Sequence, residues 1–223
     1  NGEESVTIVL KTGQTIEFVT QTPFYDSLDV NGAKGVGLAF GVDSIVVTAL
    51  ALLETGMPVS DIVPIHPGFD VERPKMFDFV FMQSQEFPES QISFFEKYPD
   101  GIKAVEQESP EYDLRQWQTH DNSANALREV WMAVDDIQSN ETALASLGFE
   151  PVETLTSAGH RIYQIGDVRL NLVSPQNPEH GKLYEDKIAT NGQGLFRIVL
   201  ETSDEAPMLK GTLPGSSVEL ELR

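Results

Sequence analysis

The chain of 223 residues has no cysteine. That removes disulfides, zinc–thiolate sites and cysteine nucleophiles together. Histidine is nearly as scarce. His66, His120, His160 and His180 stand apart, with no metal-ligand spacing such as i, i+4, and read as loop or surface residues. Basic residues are few, 15 against 35 acidic, for a net charge of −20. Such a surface repels the phosphates of nucleic acid and anionic lipid, so neither is an expected partner. No acidic run is focused enough to steer a cationic ligand, and the charge reads as a solvated surface. Long apolar runs are missing too. The most apolar window, 45–53, lies between Asp43 and Glu54 and is too short to cross a bilayer. There is no Gly-x-Ser-x-Gly elbow, so a Ser-His-Asp nucleophile has no support. The chain opens at Asn1 without a signal-like apolar core. A cytoplasmic location is the expectation, with room for a leader already lost.

What is present is a repeat. Residues 129–134 alternate as a strand with two different faces. Asp135-Asp136 supplies helix N-cap chemistry, Ile137, Leu144 and Leu147 fall near one helical face, and Gly148 stands where a left-handed C-cap is wanted. The same sentence occurs earlier. Val42/Val134, Asp43/Asp135, Ile45/Ile137, Leu52/Leu144 and Gly56/Gly148 all pair at a constant offset of 92 (134 minus 42). Such ungapped agreement argues for an internal repeat.

Taken in order, 5–10 and 15–20 predict a hairpin around Lys11-Thr12-Gly13-Gln14. The first copy of the repeat predicts a strand over 36–42 and a helix over 44–55. A short strand near 62–65 and strands over 76–82 and 91–98 follow. The polar stretch 99–128 reads as a linker between halves 1–98 and 129–223. The second copy continues with strands over 151–156, 160–165 and 168–174, the last two joined at Gly166-Asp167. Residues 175–194 read as a polar connector, 195–202 and 218–222 as strands. The repeating unit is strand, helix, strand, strand, strand. It appears once without its head (1–20), twice in full (35–98 and 129–174) and once abbreviated (195–223). One such unit leaves a sheet face uncovered and needs a partner.

A βαβββ unit with a strand-Asp-helix-Leu-Gly-Phe core, and a return strand ending in Ser or Thr before Pro, resembles the vicinal-oxygen-chelate superfamily of glyoxalase I, extradiol dioxygenases, methylmalonyl-CoA epimerase and bleomycin-resistance proteins. The likeness is strongest over 130–149 with 170–175. His120-Asp121-Asn122-Ser123-Ala124 also resembles the His-Pro-Asn-Gly-Ala of glyoxalase-like domains. The resemblance implies an α+β fold of tandem βαβββ modules pairing into curved, cleft-forming mixed sheets. It also implies metal ligands at the start of each first strand and the centre of each last strand. Here those positions are Gly37, Glu129 and Arg197, then Glu17, Asn171, Glu96 and Glu219. None is histidine, which argues against a 2-His-1-carboxylate iron site.

Each candidate carries two readings. Glu129, beside Trp131 on one strand face, is a cleft base or a strand-end carboxylate paired with Arg128 or Arg197. Glu17 is a half-buried cleft acid or the solvated face of an edge hairpin. Asn171 is its neutral counterpart. Arg197, inside an apolar strand, holds a ligand carboxylate or phosphate, or pairs with Glu129 or Glu201. His120 is the one histidine kept as a candidate. Phe77, Phe79, Phe81, Phe94 and Phe95 read as core. The expected function is binding of a small organic ligand in a sheet-lined cleft, with no cofactor. One alternative is a divalent-metal lyase, isomerase or epimerase with Glu17 and Glu129 as catalytic carboxylates and Glu17, Glu96 or Glu129 as ligands. Another is an interaction protein that keeps only the fold. The headless first module means either a chain that begins inside a domain or a second chain supplying the missing strand, and an exposed edge there would favour a homodimer.

Overall fold

A computed structural model describes residues 5–9, 15–19, 37–67, 70–82, 91–108, 124–146, 148–154, 158–202, 209–212 and 218–223. Contacts divide them into two compact units, one drawn from Asn1–Gly35, Leu114–Ile137 and Pro151–Arg223, the other from Val36–Asp113 and Gln138–Glu150.

The repeat is real in three dimensions. Strand β3 (Gly37–Gly41), helix α1 (Ile45–Glu54) and strands β4 (Val63–Ile65), β5 (Phe77–Met82) and β6 (Gln91–Lys97) make a sheet of order β3-β6-β5-β4. Strand β7 (Ala124–Ala133), helix α3 (Ile137–Ser146) and strands β8 (Pro151–Thr154), β9 (His160–Ile165) and β10 (Val168–Val173) take the order β7-β10-β9-β8. In each copy the first strand runs parallel to the last, and the other pairings are antiparallel. Both helices end in the same Schellman turn. Gly56 and Gly148 each have φ +80°. Met57 N–H donates to the Leu52 carbonyl at 3.0 Å, and Phe149 N–H to that of Leu144 at 3.0 Å. Only a residue without a Cβ takes that φ cheaply, which is why glycine stands at both places.

Strands β11 (Gly194–Thr202), β12 (Leu209–Thr212) and β13 (Glu219–Leu222) repeat the pattern in short form. β11 runs parallel to β13, and β12 antiparallel to it. β7 and β11 pair antiparallel, so both sets join in one seven-stranded sheet of order β12-β13-β11-β7-β10-β9-β8. Strands β1 (Ser5–Val9) and β2 (Thr15–Val19) form the expected hairpin, with Glu17 opposite Thr7.

Two helices stand where the sequence suggested linker and connector, α2 (Pro99–Glu108) and α4 (Gly181–Asn191). Pro99-Asp100-Gly101 reads as a turn. Yet proline is preorganised for a first helical position, and an acid there suits the helix dipole. Gly101 has a packing reason: a Cβ on it would lie 2.1 Å from the carbonyl oxygen of Lys75. Gly181 is pressed in the same way against the Pro175 carbonyl, at 2.2 Å. Asn177 prepares the start of α4 by accepting the N–H groups of Glu179 and His180 at 3.0 and 2.8 Å. Strand β12 also went unforeseen.

Alternation gives the seven-stranded sheet two unlike faces. Val130, Met132, Leu170, Leu172, Ile198 and Leu200 point to one and are all buried. Glu129, Trp131, Asn171, Arg197 and Glu219 point to the other.

Candidate ligand-binding face

Strand register places the candidate residues in one line. Trp131 sits near the C-terminal end of β7. Its partner on β10 is Asn171, and its partner on β11 is Arg197. Arg197 in turn faces Glu219 on β13. A line Glu219, Arg197, Trp131, Asn171 therefore crosses four hydrogen-bonded strands. A bulge keeps Arg197 in it. Leu195 pairs with Met132 and Arg197 with Trp131, so Phe196 is the extra residue between them. Phe196 packs with Ala133, Val173 and Tyr184, with Trp131 and Ile188 against them, so α4 covers that end of the face.

The charged groups along the line are tied together. Arg197 donates from Nε and Nη2 to one oxygen of Glu219, at 2.9 and 2.8 Å. Lys187 on α4 binds the other oxygen at 2.8 Å. Lys210 lies 3.9 Å from both Glu219 and Glu221. Arg223 reaches Glu221 at 2.6 Å and Glu129 at 3.5 Å. Burial pushes the Glu219 carboxyl up, but the hydrogen bonds from Lys187 and Arg197 outweigh it and hold it below the usual carboxylate range. Arg223, first through its hydrogen bond, does the same for Glu221.

Next to Arg197 the line turns aromatic. The guanidinium carbon lies 5.4 Å from the Trp131 ring centre, within cation–π range. The indole N–H donates to Glu129 Oε2 at 2.9 Å. On the other side the His160 ring is centred 5.3 Å from Trp131, and its Nε2 lies 3.1 Å from Asn171 Oδ1. Asn171 is 3% exposed, and its Nδ2 has no hydrogen-bond partner. Turning the carboxamide over would exchange which atom faces His160 and still leave one unpaired. A buried polar atom left so costs about 1–3 kcal/mol unless a water or a ligand meets it.

The sequence expectations fare unevenly. Trp131, Asn171, Arg197 and Glu129 come together on one face. Arg197 pairs with Glu219 rather than with Glu129 or Glu201. Glu129 meets Arg223, while Arg128 takes Glu201. Glu96 is elsewhere: its Oε2 accepts the N–H of Ile45 at 2.8 Å, beside the Ser44 cap of α1. Register shows why the sequence alignment slipped. Asn171 faces Trp131, and the matching pair in the first copy is Ser93 with Ala39. The Glu17 side chain and His120 lie outside the described residues. His160, read as a loop residue, is instead 7% exposed and bonded to Asn171. A two-residue turn at Gly166-Asp167 fixes 165 opposite 168, hence 160 opposite 173, so counting back from that turn could have found it. Phe94 is core, but Phe77, Phe79, Phe81 and Phe95 are only half-buried.

Glu129 and Glu219 already serve N–H donors and cations, Arg197 is itself a cation, and among the described residues no three His, Asp or Glu gather as a metal site.

No family model matches the sequence, and no curated protein does. Solved structures do. A mutant of 4-hydroxymandelate synthase from Streptomyces coelicolor superposes with TM-score 0.59 at 10% identity, over 99% of this chain and 81% of its own. A hypothetical protein from Staphylococcus aureus superposes with TM-score 0.58 at 7% identity, over 84% of this chain. The chain covers 64% of that protein's length. Among the described residues no helix is long and apolar enough to cross a membrane. At such identities the likeness speaks for architecture alone: this is an α+β chain of tandem βαβββ modules in curved mixed sheets, the vicinal-oxygen-chelate fold.

Proposed function

We propose that the polar face of the seven-stranded sheet binds a small organic ligand, as a glyoxalase-like protein working without a metal ion. The carrying observation is the buried, unpaired carboxamide atom of Asn171 in line with Trp131 and Arg197. Folding gains nothing from that atom, whereas a ligand oxygen meeting it would recover the lost hydrogen bond. Trp131 offers a flat apolar surface beside it, and Arg197 the one guanidinium nitrogen that Glu219 does not bind. Arg197 and Glu219 are engaged with one another, and Glu129 with Trp131 and Arg223, which supports a site built on hydrogen bonds and stacking.

The test uses EDTA-treated, isotopically labelled protein and a library of aromatic acids, esters and amides. Binding is expected to shift the Trp131 indole and Asn171 side-chain amide signals saturably. No shift across the library, or a shift only after zinc or iron is restored, would overturn the reading.

A further inference from the structure

We infer that the ligand is a flat carboxylic acid with a second oxygen acceptor at its far end. This rests on the reading of the face as a binding site and adds the chemistry of what binds. The first observation is charge. Among the described residues, ion pairs link Arg197, Lys187, Lys210 and Arg223 to only Glu129, Glu219 and Glu221. Counting side chains, that network carries one net positive charge, on a protein whose total is −20. A scarce charge gathered on one face favours an anion there, because the rest of the surface repels it.

The second observation is the spacing of unused donors. Glu219 occupies Nε and Nη2 of Arg197. Nη1 has no hydrogen-bond partner among the described residues, so one edge of the fork is open to a carboxylate oxygen. The open atom of Asn171 is the other donor. Their strands lie on either side of β7, two strand spacings apart, about 9.5 Å between backbones. Trp131 fills the gap. Arg197 lies over the indole at 5.4 Å, and Asn171 bonds the His160 ring, which is centred 5.3 Å from the same indole. One six-membered ring with an oxygen group at each end bridges the two donors and stacks on the indole.

Calorimetric titration of the full chain with 4-acetylbenzoate, benzoate and methyl 4-acetylbenzoate tests this. The first should bind best. The ester, lacking the charge, and benzoate, lacking the far carbonyl, should each bind about tenfold more weakly, the loss of one good polar contact. Asn171→Leu should erase the preference for 4-acetylbenzoate over benzoate, and Arg197→Gln the preference for acid over ester. Wild-type protein decides alone if either variant fails to fold. Equal binding of acid and ester would overturn the inference while leaving a binding face. Silence to all three, with silence to the wider library, would remove the face as well.

Discussion

The two sheets are built to one plan and furnished differently. In the seven-stranded sheet the line through Trp131 reads Trp131, Asn171, Ile162. In the four-stranded sheet the equivalent line reads Ala39, Ser93, Phe81. Around that second line Phe77, Phe79, Phe81 and Phe95 form a ladder of rings with centres 5.6–6.1 Å apart. Their opposite face holds Val80, Ile92 and Phe94, all buried. Glycine turn and strand order are shared because they fix the backbone. The outward alternate positions constrain nothing in it, so one module carries polar groups and the other hydrocarbon. What differs between the sheets is therefore where specific chemistry is to be sought.

The largest test of that contrast is Phe94→Ala, which should cost about 3–5 kcal/mol in urea unfolding. Phe79→Ala, on the half-buried ladder, should cost less than half as much. Equal losses would mean the ladder is core. Next come the matched turns. Gly56→Ala and Gly148→Ala should each lose about 1–2 kcal/mol, the cost of forcing a side chain into left-handed backbone. Clearly unequal melting shifts would break the equivalence of the two copies. The smallest effect belongs to Glu219→Gln. The folded carboxyl titrates below its ordinary value, so its contribution is present above the unfolded pKa and is lost as pH falls through the folded one. The variant should be less stable than wild type by on the order of 1 kcal/mol at neutral pH. The gap should close on acidification below the ordinary carboxylate range. A gap that persisted into strong acid would show that Glu219 acts through packing.

Much of this was legible in the residues. The offset of 92 rested in part on the glycine turns, whose role is local, and those match in both copies, while the first helix is capped by Ser44. Trp131, Asn171 and Arg197 were visible because each breaks the chemistry of its own strand. Glu96 misled because its role depends on a long-range neighbour, the N–H of Ile45, 51 residues away. Helices α2 and α4 hid behind glycines that mark tight backbone packing, which a sequence shows only as helix breakers. Lys187 was invisible for the same reason, since its meaning comes from where α4 lies.

β7 has a partner along both edges, β10 on one side and β11 on the other. Its backbone amides are thus sealed on two flanks, and deuterium should enter them only when the whole sheet comes apart. Trp131 is therefore mounted on an interior strand that has no free edge of its own.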